Sequence, residues 1–174
     1  MDKKRNLRPG TMLYPLPAVI VTCGTADKSN MLTVSWTGTL CSDPAMCYIS
    51  VRPGRFSYPM IKEQMEFTIN LTTEEIAAAT DWIGVRSGAD YDKWKETGLT
   101  PVPGVKVACP SIAESPVNIE CRVVQTMPLG SHCMFLAKVE AVHAGEEYMD
   151  GKHKFHLEKA EPVVYSHGAY YVCG

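Results

Sequence analysis

The chain has 174 residues, the usual length of one domain, and its 45% hydrophobic and 21% charged residues exclude an intrinsically disordered protein. Seventeen Lys and Arg residues against nineteen Asp and Glu residues give a net charge of −2. This balance argues against nucleic-acid binding, which favours a basic surface. We expect a single domain over residues 1–174.

The sequence offers no apolar stretch long enough to span a membrane and no signal-peptide pattern, so we expect neither a membrane partner nor export. The seven cysteines are odd in number and form no C-x-x-C motif, which favours reduced thiols and a cytoplasmic protein. His153 and His156 have no nearby cysteine pair, so we expect no metal site.

Short apolar and β-branched runs separated by proline and glycine dominate the chain. Strands are predicted, in chain order, at 18–22, 30–36, 46–52, 66–71, 105–108, 117–126, 133–143, 163–165 and 170–173. In the segment 133–143, one set of residues alternates with another, which is typical of a half-buried strand. The first set is Cys133, Phe135, Ala137, Val139 and Ala141, and the second is Met134, Leu136, Lys138 and Glu140.

Two helices are predicted, with a weaker third at 91–96. Ser57 is a candidate cap for a helix with Pro59 in its first turn, and Thr72 with Glu75 forms a candidate capping box before a helix at 76–80. Many short strands with two or three inserted helices favour a closed β-barrel over an α/β sheet.

The segment 52–59 carries the clearest chemical signal. It joins a strand end to a helix start and contains Arg52, Arg55 and the hydroxyl of Ser57. Helix N-termini and arginine forks both bind phosphate, so the segment is a candidate phosphate site; a turn with two solvated arginines is the alternative. The dinucleotide fingerprint, the P-loop and the G-x-S-x-G elbow are all missing from the sequence.

The segment 30–39 alternates polar and apolar residues and then continues through Trp36 into small residues. Its hydroxyls and backbone groups could bind a planar ligand that carries carbonyls and ring nitrogens. A strand with one wet face and a core tryptophan explains the same pattern.

Taken in order, these segments resemble the flavin reductase-like proteins of the FMN-binding split-barrel superfamily, and the flavoredoxin group most. The matching stretches are 30–36, 43–51, 52–57, 83–94, 118–121, 129–132 and 163–171. The resemblance implies a mainly β, six-stranded Greek-key split β-barrel with two or three short inserted helices. It also implies a homodimer with non-covalently bound FMN, and the aromatic strands 163–165 and 170–173 suit a dimer interface.

The resemblance also assigns site residues by position. The isoalloxazine and ribityl chain would lie against Asn30, Thr33, Ser35, Trp36 and Thr37. The phosphate loop would contribute Arg52, Arg55, Phe56 and Ser57, and the residues further along the cofactor would be Arg86, Ser87 and Lys93. His132 is the candidate catalytic residue, placed where the nicotinamide or the flavin edge is approached. The alternative is a structural histidine on a strand, whose hydrogen bonds are made by the protein itself.

The implied function is that of a cytoplasmic FMN-binding oxidoreductase that passes electrons from NAD(P)H or a redox protein to an unknown acceptor. Trp36 directly after Ser35 favours the flavoredoxin group, in which FMN is held tightly. The alternatives are a reductase component that supplies reduced flavin to a monooxygenase, and a non-catalytic FMN electron carrier.

Overall fold

The computed structural model describes residues 3–173. Its twelve strands are β1 Leu16–Pro17, β2 Val19–Gly24, β3 Ser29–Val34, β4 Thr37–Ser42, β5 Ala45–Val51, β6 Glu66–Leu71, β7 Pro101–Val102, β8 Ser111–Ile112, β9 Val117–Leu129, β10 His132–Ala144, β11 Val163–Ser166 and β12 Ala169–Val172. The helices are α1 Ser57–Gln64, α2 Ala77–Val85 and α3 Lys93–Thr97, with short 3₁₀ turns at Glu146–Tyr148 and Leu157–Ala160.

Seven strands form one antiparallel sheet in the order β3-β2-β6-β9-β10-β5-β4. Its two edge strands, β3 and β4, are separated in the chain by only Ser35 and Trp36. Three peptide units reach about 11 Å at most, so the sheet must curl until its edges nearly meet. The N–H of Ser50 on β5 donates to the carbonyl of Trp36 at 2.8 Å, which extends the β4–β5 pairing into the connection. The predicted β-barrel class is confirmed, with seven strands in the main sheet in place of six.

The interior of the barrel is built by alternation along the strands. On β10, Cys133, Phe135 and Ala137 are buried and the residues between them are less so, as predicted for a half-buried strand. Strand β2 is buried along its whole length because its two faces lie in different clusters. One face points into the barrel, and Ile20 on the other packs with Met31 and with Ile83 of α2. This packing places α2 beside β3.

The helix starts differ in detail from the sequence prediction. Helix α1 begins at Ser57, but the Ser57 hydroxyl accepts a hydrogen bond from Asn30 Nδ2 (2.7 Å) instead of capping the helix. The predicted capping box is wrong: the Thr72 hydroxyl donates to the carbonyl of Ala18, and α2 begins at Ala77. In both cases a buried tertiary partner replaces the local one.

The predicted strand 105–108 is also wrong. The N–H groups of Val105, Lys106 and Val107 donate to the carboxylate of Glu120, which is completely buried (0% exposed) on β9. A side chain therefore takes the place of a neighbouring strand for this segment.

A second, three-stranded sheet, β1-β11-β12, contains Tyr165 and Tyr170. No helix within residues 3–173 is long and apolar enough to cross a membrane.

Candidate functional site

The first pocket, of about 370 Å³, lies where the sheet edges approach each other; we call it the aromatic pocket. The end of β3, the segment after β5, the end of α2 and the start of β10 all reach it. Its lining includes Thr33, Ser35, Trp36, Arg52, Arg55, Val85 and His132.

Trp36 and His132 face each other in this pocket with their rings nearly parallel (2°) and their centroids 6.1 Å apart. Trp36 is 38% exposed, so it is not the core tryptophan of the alternative interpretation. Burial, followed by repulsion from Arg52 and Arg55, holds the pKa of His132 below its usual value. These surroundings favour the neutral form of the ring, and its Nδ1 lies 2.8 Å from the hydroxyl of Ser131.

A smaller pocket of about 160 Å³, the cationic pocket, continues from the aromatic pocket past Arg55. Its polar lining is Asn30, Arg55, Ser57, Arg86, Ser87 and Lys93, without any Asp or Glu. Within residues 3–173, neither Arg55, Arg86 nor Lys93 forms an ion pair. Three cations without a carboxylate, beside the start of α1, give a site suited to a phosphate.

Lys93 is the buried member of this set, at 4% exposure. Its ammonium donates to the carbonyls of Met31 (2.9 Å) and Ile83 (2.8 Å), so it ties β3 to α2. Burial, with repulsion from Arg55, lowers the pKa of Lys93 to about 8. Lys93 thus supports the pocket wall and also contributes to its charge.

Asn30 is held in place from two sides. Its amide donates to Ser57 at the start of α1, and Gly88 approaches it closely on the other side. A Cβ added at Gly88 would lie 2.4 Å from Asn30 Oδ1, so only glycine allows this approach. This contact and the hydrogen bond from Lys93 to Met31 both join the 87–93 segment to β3.

Of the candidate cofactor-binding and catalytic residues predicted from the sequence, the structure brings all except Thr37 together. They line the aromatic pocket, the cationic pocket or the space next to it. The Thr37 hydroxyl instead donates to the carbonyl of Tyr48 (2.6 Å) between two strands. The Thr33 hydroxyl likewise donates to the carbonyl of Thr80, so it also fastens α2 to β3.

Sequence reasoning missed one wall of the aromatic pocket, formed by Tyr14, Tyr165 and Tyr170. The rings of Tyr165 and Tyr170 meet edge to face at 5.6 Å. Burial, followed by the negative charge of Asp81, raises the pKa of Tyr170 to about 12. The aromatic pattern of 163–173 is present in the sequence, where it suits a dimer interface, but the structure places Tyr165 and Tyr170 in the pocket wall.

The curled sheet and its paired aromatic and cationic pockets define a mainly β ligand-binding domain. Residues 11–174 match the flavin reductase like domain, and the chain belongs to this family. The resemblance inferred from the sequence is confirmed. The chain is a flavin-binding oxidoreductase.

Individual relatives agree with this assignment. The flavoredoxin of Desulfovibrio vulgaris (Miyazaki F) superposes with a TM-score of 0.91 at 29% identity, over 99% of this chain and 94% of that one. An uncharacterized protein of Pyrococcus abyssi is 35% identical over 140 residues, 80% of each chain. The NADH-dependent FMN reductase of Streptomyces nodosus subsp. asukaensis is 25% identical over 179 residues, covering 97% of this chain and 88% of that protein.

Proposed function

We propose that the protein binds FMN non-covalently and uses it to pass electrons from NADH or NADPH to an acceptor. The observation that carries this proposal is the cationic pocket, whose three cations form no ion pair within residues 3–173, beside the aromatic pocket with which it shares Arg55. A ligand with a phosphate at one end and a flat ring at the other matches this arrangement. The Streptomyces nodosus relative, an NADH-dependent FMN reductase, supports the choice of FMN and of a nicotinamide donor.

The phosphate end is the better defined. Arg55 and Arg86 offer forked donors, Ser57 and Ser87 offer hydroxyls, and the α1 N-terminus adds its dipole. Lys93 adds positive charge, and its position is fixed by hydrogen bonds to the carbonyls of Met31 and Ile83. With no carboxylate in the lining, nothing opposes a dianion there.

The ring end is lined by flat and apolar groups together with hydroxyls. Trp36 and Val85 give apolar contact, and Ser35 gives polar contact to an edge of a ring. The Thr33 hydroxyl, which donates to the carbonyl of Thr80, can only accept a hydrogen bond there. When bound, FMN supplies the hydride and electron chemistry. The chain's own part is to orient the ring, neutralise the phosphate and limit access to the pocket.

We assign His132 to positioning the nicotinamide. Its Nδ1 is occupied by Ser131, whereas its Nε2 has no hydrogen-bond partner in the part of the chain that the structure describes. A neutral imidazole can bond an amide without placing a charge beside the reacting rings. His132 therefore acts by geometry, and proton transfer from it is not required.

A homodimer in the cytoplasm is part of the proposal. On β9, every residue from Val124 to Leu129 is exposed, so both faces of the strand lack cover in a single chain. Val124, Met127 and Leu129 provide apolar area that a second copy would bury. The seven free cysteines are consistent with a reducing compartment.

The test begins with the visible spectrum of the purified protein and an FMN titration. We expect a yellow protein that is bleached anaerobically by NADH or NADPH. A flavin that is reduced only by a ferredoxin-type protein would point to an electron carrier. Release of the reduced flavin on bleaching would point to a reductase component for a monooxygenase. Failure to bind FMN at all would overturn the proposal.

A further inference from the structure

The connection between β10 and β11 contains a hairpin that lines neither the aromatic nor the cationic pocket. It covers residues 148–156, and Met149 pairs with Phe155 across it. The N–H of His156 donates to the carbonyl of Tyr148 at 2.8 Å, which closes its base. A hairpin of two strands is marginally stable by itself in water, so this one depends on its side chains.

Asp150 holds the tip of the hairpin. Its Oδ1 accepts hydrogen bonds from the N–H groups of Lys152 (2.8 Å) and Lys154 (2.9 Å). Its other oxygen, Oδ2, lies 3.0 Å from Nε2 of His156. One carboxylate therefore joins the tip of the hairpin to the histidine at its end.

His156 lies between two carboxylates. Its Nε2 faces Asp150, and its Nδ1 lies 2.8 Å from Oε1 of Glu158. A neutral imidazole has one N–H and one lone pair, so it can donate to only one carboxylate, whereas an imidazolium donates to both. The arrangement therefore requires the ring to be a cation. The His156 side chain is 19% exposed, so water competes little for these donors.

Glu158 connects the hairpin to the body of the protein. It belongs to the 3₁₀ turn Leu157–Ala160, whose last residue is buried. Directly after this turn, the carbonyl of Glu161 accepts a hydrogen bond from the N–H of Glu74, shortly before α2. A cationic His156 thus fastens the hairpin to an anchored turn.

We propose that Asp150, His156 and Glu158 form a pH-sensitive clasp, which keeps the hairpin closed while the ring is a cation and releases it when the ring loses its proton. The bond to Asp150, followed by the bond to Glu158, raises the pKa of His156. The bond to His156, followed by the two backbone N–H groups, lowers the pKa of Asp150 to about 2.

The sign of the pH dependence follows from these two shifts. The clasp contributes fully to stability between the ordinary pKa of Asp150, 3.8, and that of His156, 6.5. Its contribution is lost as the pH rises through the raised pKa of His156, because the folded chain then releases the proton. It is also lost at the acid end, as the pH falls toward about 2 and Asp150 takes up a proton.

Other charged groups around the clasp leave this direction unchanged. They include two lysines and two glutamates: Lys154, Lys159, Glu75 and Glu147. Lys159 opposes the cation on His156, but the two carboxylates outweigh it. Tyr148 stays uncharged in this range, because burial and the two glutamates raise its pKa.

The test is limited proteolysis with trypsin, which cleaves after Lys152 and Lys154 when the hairpin opens. Cleavage after Arg5, in the exposed N-terminal segment, is the internal reference for the pH dependence of trypsin itself. Between about pH 6 and about pH 9, the ratio of hairpin cleavage to reference cleavage should rise roughly two- to fivefold, as expected for one exposed ion pair. In His156→Gln, the ratio should already be high at the lower pH and change little.

His153→Gln is the matched control, because it makes the same change on the same hairpin and His153 forms no ion pair within residues 3–173. It should behave as the wild type does. NMR titration of the wild-type rings should give His156 a pKa above 6.5, and Glu158→Gln, which keeps the ring, should lower that pKa.

Four results overturn the clasp. They are a cleavage ratio that does not change with pH in the wild type, equal ratios in His156→Gln and the wild type, an equal effect in the control, and a pKa of His156 at or below 6.5. The proposal does not depend on flavin binding, so it stands or falls separately from the proposed function.

Discussion

Replacing Arg55 by alanine removes the one charged side chain shared by the aromatic and cationic pockets. Within residues 3–173, the only hydrogen bond of the Arg55 side chain is a long one (3.3 Å) from Nη1 to the carbonyl of Gly84. The fold therefore loses little, whereas a bound phosphate loses a forked, charge-assisted donor. Such a hydrogen bond contributes about 1.5–3 kcal/mol, which corresponds to roughly a ten- to hundredfold loss of FMN affinity.

Riboflavin provides the internal reference, because it carries the same ring without the phosphate. Flavin fluorescence titrations of Arg55→Ala should show the loss for FMN and little change for riboflavin. Arg8→Ala, in the exposed N-terminal segment, makes the same charge change away from the pockets. Raising the salt concentration should reduce the difference between wild type and variant, since Arg55 is exposed.

Equal weakening of FMN and riboflavin would refute this reasoning, because Arg55 would then act through the fold. An independent check comes from His132, since repulsion from Arg55 contributes to its lowered pKa. In Arg55→Ala the pKa of His132 should rise toward its ordinary value, which NMR titration of the ring can follow.

Three further predictions concern the other residues that hold the site. His132→Ala should retain FMN but slow its reduction by NAD(P)H in stopped-flow bleaching, because positioning is lost. The pKa of Lys93 falls to about 8 in the folded chain, so between pH 8 and its ordinary value of 10.5 only the unfolded chain keeps this proton. The Lys93 contribution to stability therefore rises with pH over that window, and Lys93→Met should remove this slope from urea unfolding. Gly88→Ala should cost about 1–3 kcal/mol of stability and weaken FMN, because its Cβ would push against Asn30.

Each of the three has an outcome that contradicts it. An unchanged reduction rate in His132→Ala would make the histidine a structural residue. An identical pH slope in Lys93→Met and wild type would assign that slope to other groups. The control for Gly88 is Gly151→Ala, where an added Cβ meets no atom within 4 Å. Equal stability of the two glycine variants would mean that the 87–93 segment can shift without cost.

Local patterns in the sequence were enough to predict most of the strands and helices of the fold. Runs of apolar and β-branched residues predict strands β5, β6, β9 and β10. A strand can be recognised locally because its side chains alternate between two faces with a period of two residues. The helix start at Ser57 follows from its neighbours in the same way. Where the sequence reasoning was wrong, at Thr72 and at 105–108, a distant buried partner had replaced the local one.

The same distinction applies to the site. The sequence indicates Arg52, Arg55 and Ser57 as candidate site residues because they lie in one short segment between the end of a strand and the start of a helix. Local sequence is enough to predict that arrangement. The tyrosine wall, the clamp of Lys93 on two backbone carbonyls, and the contact of Gly88 with Asn30 join residues far apart in the chain. The curl of the sheet and the packing of α2 on β3 decide those contacts. The sequence by itself thus determined the class of fold and the charge and hydroxyl chemistry of the segment 52–57. Only the tertiary structure decided which distant residues line the aromatic and cationic pockets, because side-chain packing between remote elements has no local signature.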